Sequence, residues 1–101
     1  MSDVKIKAVL VELPEWAVEV VESVNHLTRT YRFKNFVQAL AFTQAVGELA
    51  EEHNHHPAIL TEWGRVKVSW WTHKINGLHE NDAIMAAKTE QIFNARFVGS
   101  A

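Results

Sequence analysis

Apolar and polar positions alternate with period two along several stretches of this chain and recur with helical spacing along two others. From Trp16 to Glu22, Trp-Ala-Val-Glu-Val-Val-Glu alternates partially and is rich in β-branched residues. From His26 to Phe33 the alternation is strict. Leu27, Arg29, Tyr31 and Phe33 share one face, with Arg29 its one charge; His26, Thr28, Thr30 and Arg32 share the other. Ser23-Val24-Asn25 has turn chemistry between the two runs, so the pair predicts an antiparallel hairpin. Asn35 is a good N-cap. After it Phe36, Ala39, Leu40, Thr43, Val46, Gly47 and Ala50 fall at i, i+3, i+4 spacing, and Phe42, Ala45 and Leu49 widen the stripe. An arc this broad predicts a helix with two packing partners: a sheet on one side and another subunit on the other. The helix ends near residues 52–54, and Pro57 holds His56 extended. Ala58–Trp63 predicts a third strand, Gly64 a turn, and Arg65–His73 a fourth strand with Trp70 and Trp71 on opposite faces. Asn76-Gly77 is a turn signal. Residues 79–97 read as a second long helix, with Asp82 in the first turn, where a carboxylate favours the helix N-terminus. The pattern leaves residues 4–13 open between a short strand and a short helix.

The order strand-strand-helix-strand-strand-helix argues an α+β fold: two long helices, plus a possible short N-terminal element, on one face of an antiparallel sheet. The length of 101 residues suits one domain, 1–101. A hydrophobic fraction of 48%, with four Trp and five Phe, is enough to bury a core. The balance of 10 basic and 12 acidic residues offers no electrostatic footprint for nucleic acid or an anionic membrane. The absence of cysteine excludes disulfides, a thiolate nucleophile and cysteine-based zinc. The charged N-terminal residues do not form a signal h-region, and no apolar run approaches a membrane span. The expectation is a soluble, cytoplasmic protein with no membrane and no direct nucleic-acid partner.

The chemistry concentrates in Glu51-Glu52-His53-Asn54-His55-His56-Pro57. Three histidines in four residues, closed by a proline, are better suited to a site than to a core. Imidazole exchanges a proton near neutrality, its ordinary pKa being about 6.5. The bland reading is a set of surface histidines at a helix C-terminus, where a cation is favourable; His53 and His26 are read this way, as solvent-facing. A metal reading would use imidazoles of His53, His55, His56 and His73. It is disfavoured because adjacent histidines rarely ligate one ion, so no metal and no cofactor is expected.

The spacing extends beyond the cluster. Glu51-x3-His55-His56-Pro57 is followed by five residues to Trp63, nine to His73 and eight to Asp82. This resembles the signature of the pterin-4a-carbinolamine dehydratases. Tyr31-Arg32-Phe33-Lys34-Asn35-Phe36, with Ala39 and Phe42, resembles that family's strand-into-helix junction, and Thr72-His73-x3-Gly77-Leu78 its strand exit before the last helix. The resemblance covers roughly residues 16–95. It implies a four-stranded antiparallel sheet with helices on one side, assembly as a homodimer or homotetramer, and a small-molecule pterin substrate. The implied reaction dehydrates 4a-hydroxytetrahydrobiopterin to the quinonoid dihydropterin, in recycling of the cofactor of aromatic amino-acid hydroxylases. It also implies the roles: His55 and His73 as catalytic acid/base groups, and His56 as the residue that binds and orients the pterin. Glu51, one turn before His55, is placed to orient an imidazole or touch the pterin, and Trp63 to pack beside a flat heterocycle. Asp82 completes the substrate-binding set, although its helix position already gives it a structural role. Two positions depart from the family pattern. His79 stands where Ser or Thr usually caps the last helix, which is expected to weaken a capping box with Asp82. Asn54 stands where acidic residues also occur.

Losing water from a hemiaminal needs a proton delivered to the hydroxyl and another taken from the adjacent nitrogen. Positioned groups with pKa near 7 do this without metal, redox cofactor or covalent nucleophile. Two other readings remain: a non-catalytic dimerisation or regulatory module using the broad arc of residues 36–50, and the same pocket acting on another pterin.

Overall fold

The strictly alternating run around Tyr31 becomes a central strand. In the computed structural model, which describes residues 1–100, the elements are α1 (Asp3–Glu12), β1 (Ala17–Val21), β2 (Val24–Arg32), α2 (Phe36–His53), β3 (Ala58–Glu62), β4 (Arg65–Trp70) and α3 (Glu80–Arg96). A single 3-10 turn spans His73–Ile75, and another spans Val98–Ser100. The four strands form one antiparallel sheet in the order β1-β2-β4-β3. The fold is α+β, as the element order predicts.

Alternation then decides what is buried. Leu27 and Tyr31 of β2, with Phe33 just beyond it, and Val66, Val68 and Trp70 of β4 point into the core against α2 and α3. Phe42 of α2 lies 4.7 Å from Tyr31, 5.2 Å from Phe33 and 5.3 Å from Phe97 between ring centroids. Such tilted and edge-on arrangements suit aromatic quadrupoles. Arg29 shares this inner face without being stranded. It pairs with Glu90 of α3, which also accepts from Trp16 Nε1 at 2.9 Å and Tyr31 Oη at 2.5 Å. The guanidinium lies over the Tyr31 ring at 4.2 Å. One carboxylate thus ties β2 and the start of β1 to α3.

Helix ends follow the capping chemistry. The Asn35 side chain accepts from Gln38 N–H at 2.8 Å, and α2 closes on Asn54 in the left-handed region at φ 49°. Of the α2 stripe, Ala39, Phe42, Ala45, Val46 and Ala50 are buried, while Phe36 and Leu40 turn outward beside Val37. The segment left open between strand and helix is helical from Asp3 to Glu12, with Leu13 as its C-cap. Ser2 caps α1, and Ile6, Val9, Leu10 and Leu13 pack on the core. No helix among the described residues is long and apolar enough to cross a membrane.

Three local expectations are corrected. The β1–β2 turn is Glu22-Ser23, not Ser23–Asn25, because Val21 pairs directly with Val24. Both turn residues have positive φ, 50° and 66°, the left-handed geometry that two-residue hairpins favour. The fourth strand stops at Trp70 rather than His73, since Thr72 bridges locally to Gly77. The third strand stops at Glu62, which places Trp63 in the β3–β4 turn.

Candidate active site

Antiparallel pairing of β3 with β4 puts Ala58 opposite Ser69. The segment entering β3, with His55 and His56, therefore lies beside the segment leaving β4, with Thr72 and His73. The N-terminus of α3 returns to the same place.

Asp82 is its keystone. It is fully buried, and both of its oxygens are engaged. Oδ1 meets His55 Nε2 at 2.6 Å, and Oδ2 accepts from Thr72 Oγ1 at 2.8 Å and from the His79 N–H at 2.9 Å. A buried carboxylate at a helix N-terminus is stabilised by such donors and by the helix dipole. It also fixes the His55 tautomer: Nε2 carries the proton facing Asp82, which leaves the Nδ1 lone pair pointing away from the carboxylate. The ring stacks near the Trp70 indole, 5.7 Å away at 22°. Asp82 therefore positions His55 and presents no free oxygen to a ligand.

His56 and His73 are more open. The His56 side chain is 52% exposed and its Nε2 meets Glu51 Oε2 at 2.5 Å, so Glu51 orients His56 rather than His55. His73 Nε2 donates to the His56 carbonyl at 3.3 Å, which likewise leaves Nδ1 free. A cleft of about 230 Å³ lined by His53, Asn54, His55, Asn81, Ile84 and Met85 opens beside His55. No group of three His, Asp or Glu side chains among the described residues is arranged to hold a metal.

The remaining residues divide clearly. Trp63 is 69% exposed and sits with Arg32, Glu62 and Arg65 at the far end of β3. Five strand residues put it roughly 17 Å from the histidine end within one chain. His53 is exposed, as expected. His26 is not: it is 8% exposed and stacks on Trp71 at 3.9 Å and 2°. The capping expectation for His79 is also corrected. Its Nδ1 accepts from the Asn81 N–H at 3.1 Å while Asp82 accepts from the His79 N–H, so the capping box is complete with an imidazole nitrogen in the hydroxyl's place. Sequence reasoning missed Thr72 as a partner of Asp82 and His26 as a partner of Trp71. Alternation puts His26 and Trp71 on the outer sheet face, but only the β2–β4 register makes them neighbours.

The fold and this histidine cluster define a class. The family model for pterin 4 alpha carbinolamine dehydratase matches residues 1–92. A Syntrophotalea carbinolica protein provisionally named as that dehydratase is 58% identical over 80% of this chain and 72% of its own length. A Marinobacter nauticus protein of the same provisional name is 53% identical over 92% of this chain and 84% of its own. The crystal structure of a transcriptional coactivator/pterin dehydratase from Brucella melitensis superposes with a TM-score of 0.80 at 32% identity, covering 91% of this chain and 96% of that one. A pterin dehydratase-like protein described as a RuBisCO assembly factor in the alpha-carboxysome shares the fold, with a TM-score of 0.65 at 22% identity over 86% of this chain and 93% of its own. The chain belongs to the pterin 4 alpha carbinolamine dehydratase family.

Proposed function

We propose that this protein dehydrates 4a-hydroxytetrahydrobiopterin to the quinonoid dihydropterin and water by histidine acid–base catalysis. The observation that carries this reading is the pairing of His55 with buried Asp82, beside a second imidazole, His73, with its Nδ1 free. The carboxylate holds the His55 ring in one orientation. In the reaction one imidazolium gives its proton to the C4a hydroxyl. The C4a–O bond breaks with both electrons on the departing water. The N5 lone pair forms the C4a=N5 double bond, and the N5 proton passes to the other, neutral imidazole. Charge and protons balance, and the two histidines are reset by exchange with water. His56, steadied by Glu51, is assigned to binding the pterin ring. Family membership and the names of the relatives support the reaction class. Recycling of tetrahydrobiopterin is the pathway that the resemblance favours; another pterin side chain would meet the same ring-facing residues.

The test is the rate of 4a-hydroxytetrahydropterin dehydration by purified protein without added metal. His55→Ala and His73→Ala should each reduce kcat by about 10²–10⁴-fold. Full activity in both variants would remove the site assignment.

A second reading draws on α2. Phe36, Val37 and Leu40 are 45%, 71% and 52% exposed and adjoin Ala41, an apolar strip on the face turned from the sheet. We assign it to a homo-oligomer contact. If the protein is instead an association module without turnover, a role in keeping with the description of the Brucella melitensis protein as a transcriptional coactivator, the dehydration assay is negative and a different chain co-purifies. Sedimentation of the pure protein measures its oligomeric state.

A further inference from the structure

The sheet face turned away from the helices carries a buried titratable group that the acid–base site does not use, beside the buried pair Thr28 and Ser69. His26 is 8% exposed there. Its ring makes no hydrogen bond among the described residues, and its notable contact is the parallel stack on Trp71 at 3.9 Å. Trp71 in turn lies 4.5 Å from His73, tilted by 32°. The three rings form a continuous row from β2 to the exit of β4.

His73 needs such a wall. Its polar anchor is one long bond, 3.3 Å, to the His56 carbonyl in an exposed setting. A neutral bond of that length and exposure contributes little net free energy and permits the ring to swing. His55, by contrast, is clamped by a buried carboxylate. A flat indole against His73 removes rotamers that the single bond cannot exclude. His26 supplies the same service to the indole, which is partly buried at the margin of the core and takes the flat His26 ring on its outer face.

We propose that His26 and Trp71 are positioning residues for His73: the His26 ring holds the Trp71 indole, and the indole holds His73 with Nε2 on the His56 carbonyl and Nδ1 turned toward the substrate. The part that concerns turnover rests on the dehydratase reading; the ring geometry does not. The charged and titratable groups acting on His26 are Glu19 of β1, Lys67 of β4, His73 and Asp82. Burial, the largest influence, together with His73 and Lys67, outweighs Glu19 and Asp82 and holds its pKa below the usual value. His26 is therefore a neutral ring near neutrality, suited to packing rather than to switching charge.

The experiment uses full-length protein labelled with ¹⁵N-histidine, in wild type, Trp71→Ala, Trp71→Phe, His26→Ala and His26→Phe. Folding is checked by circular dichroism, and His73 is assigned through His73→Gln. Wild type should show His73 as a single Nε2-protonated tautomer. Trp71→Ala should show a tautomer mixture and a displaced His73 titration. Its kcat should fall on the order of tenfold to a hundredfold, the range that misplacement of a catalytic group produces, with KM little changed. His26→Ala should give the same changes in smaller degree, and His26→Phe, which keeps a flat ring on the indole, should reverse them. Unchanged His73 tautomer and pH–rate profile in folded Trp71→Ala would overturn the proposal. If Trp71→Ala does not fold, Trp71→Phe and the two His26 variants decide it by the same readouts. If the wild type has no dehydratase turnover, the functional reading fails and the tautomer measurement alone decides this inference.

Discussion

One carboxylate serves three donors at Asp82, and the geometry around His55 rests on that valence. An amide in its place has the same size but only one acceptor oxygen. Asp82→Asn therefore sets an NH₂ against at least one of His55, Thr72 and the His79 N–H. We expect kcat to fall by about 10²–10⁴-fold through loss of the His55 tautomer, and urea stability to fall by about 1–3 kcal/mol through the unsatisfied buried donor. An active, fully stable Asp82→Asn protein would show that His55 needs no orienting carboxylate. The signature made Asp82 legible as a member of the site, and its place in the first turn of α3 made it legible as a helix residue. That both roles fall to the same two oxygens was not legible, because Thr72 and His55 come from other elements. Trp63 makes the complementary point. It has the same standing in the sequence signature, yet the β3–β4 turn carries it to the far end of the sheet.

At the scale of elements, two features depart from what pattern alone favours. The β1–β2 turn puts Glu22 and Ser23 in the left-handed region without a glycine. Ser23→Gly should raise stability by roughly 1 kcal/mol, the cost that a Cβ brings to that conformation, measurable as an upward shift of the urea midpoint. Arg29 places a guanidinium on the apolar face of β2, where it is rescued by Glu90 from α3. Both side chains are largely buried, 17% and 19% exposed. Glu90→Ala leaves the guanidinium, the Tyr31 hydroxyl and the Trp16 indole N–H without their acceptor, and should cost about 2–4 kcal/mol. The double variant Arg29→Met, Glu90→Leu should recover the part of that loss due to the unpaired guanidinium, because an apolar pair also fills the site, while the Tyr31 hydroxyl and the Trp16 N–H stay without an acceptor. If the double variant is as unstable as the single one, the network rather than the unpaired charge is what matters. The limits of α2 and α3 were legible to within a residue or two, because caps and Pro57 act locally, whereas α1 was not distinguishable from a strand. Strand ends were not. Those of β3 and β4 depend on where a neighbour stops pairing.

For the whole molecule, acid is the condition that the buried groups resist least. Burial alone would raise the Glu90 pKa, but the hydrogen bonds from Tyr31, Arg29 and Trp16 outweigh it and hold the carboxyl below its usual value. The unfolded chain then binds that proton at higher pH than the folded one. The stabilisation is present above the usual carboxylate pKa and is lost as pH falls through the lowered value. His26 acts in the same direction nearer neutrality. Its folded pKa lies below 6.5, so the unfolded state takes up a proton first and stability declines as pH drops below 6.5. Urea midpoints should therefore fall with acidification from neutrality, and His26→Phe should flatten the part of the curve just below 6.5; an unchanged slope would assign that region to other histidines. The sequence by itself determined the α+β order of elements from β1 to α3, the two faces of β2 and β4 and the family to which the spacing of Glu51, His55, His56, His73 and Asp82 belongs. These are properties of period, capping and interval, which act along the chain. Only the tertiary structure decided that Asp82 clamps His55, that Glu51 serves His56, that Trp63 stands apart, and that His26 is buried against Trp71. Those are contacts between elements distant in sequence. They are set by the antiparallel register and by the return of α3 to the end of β4, which no local pattern encodes.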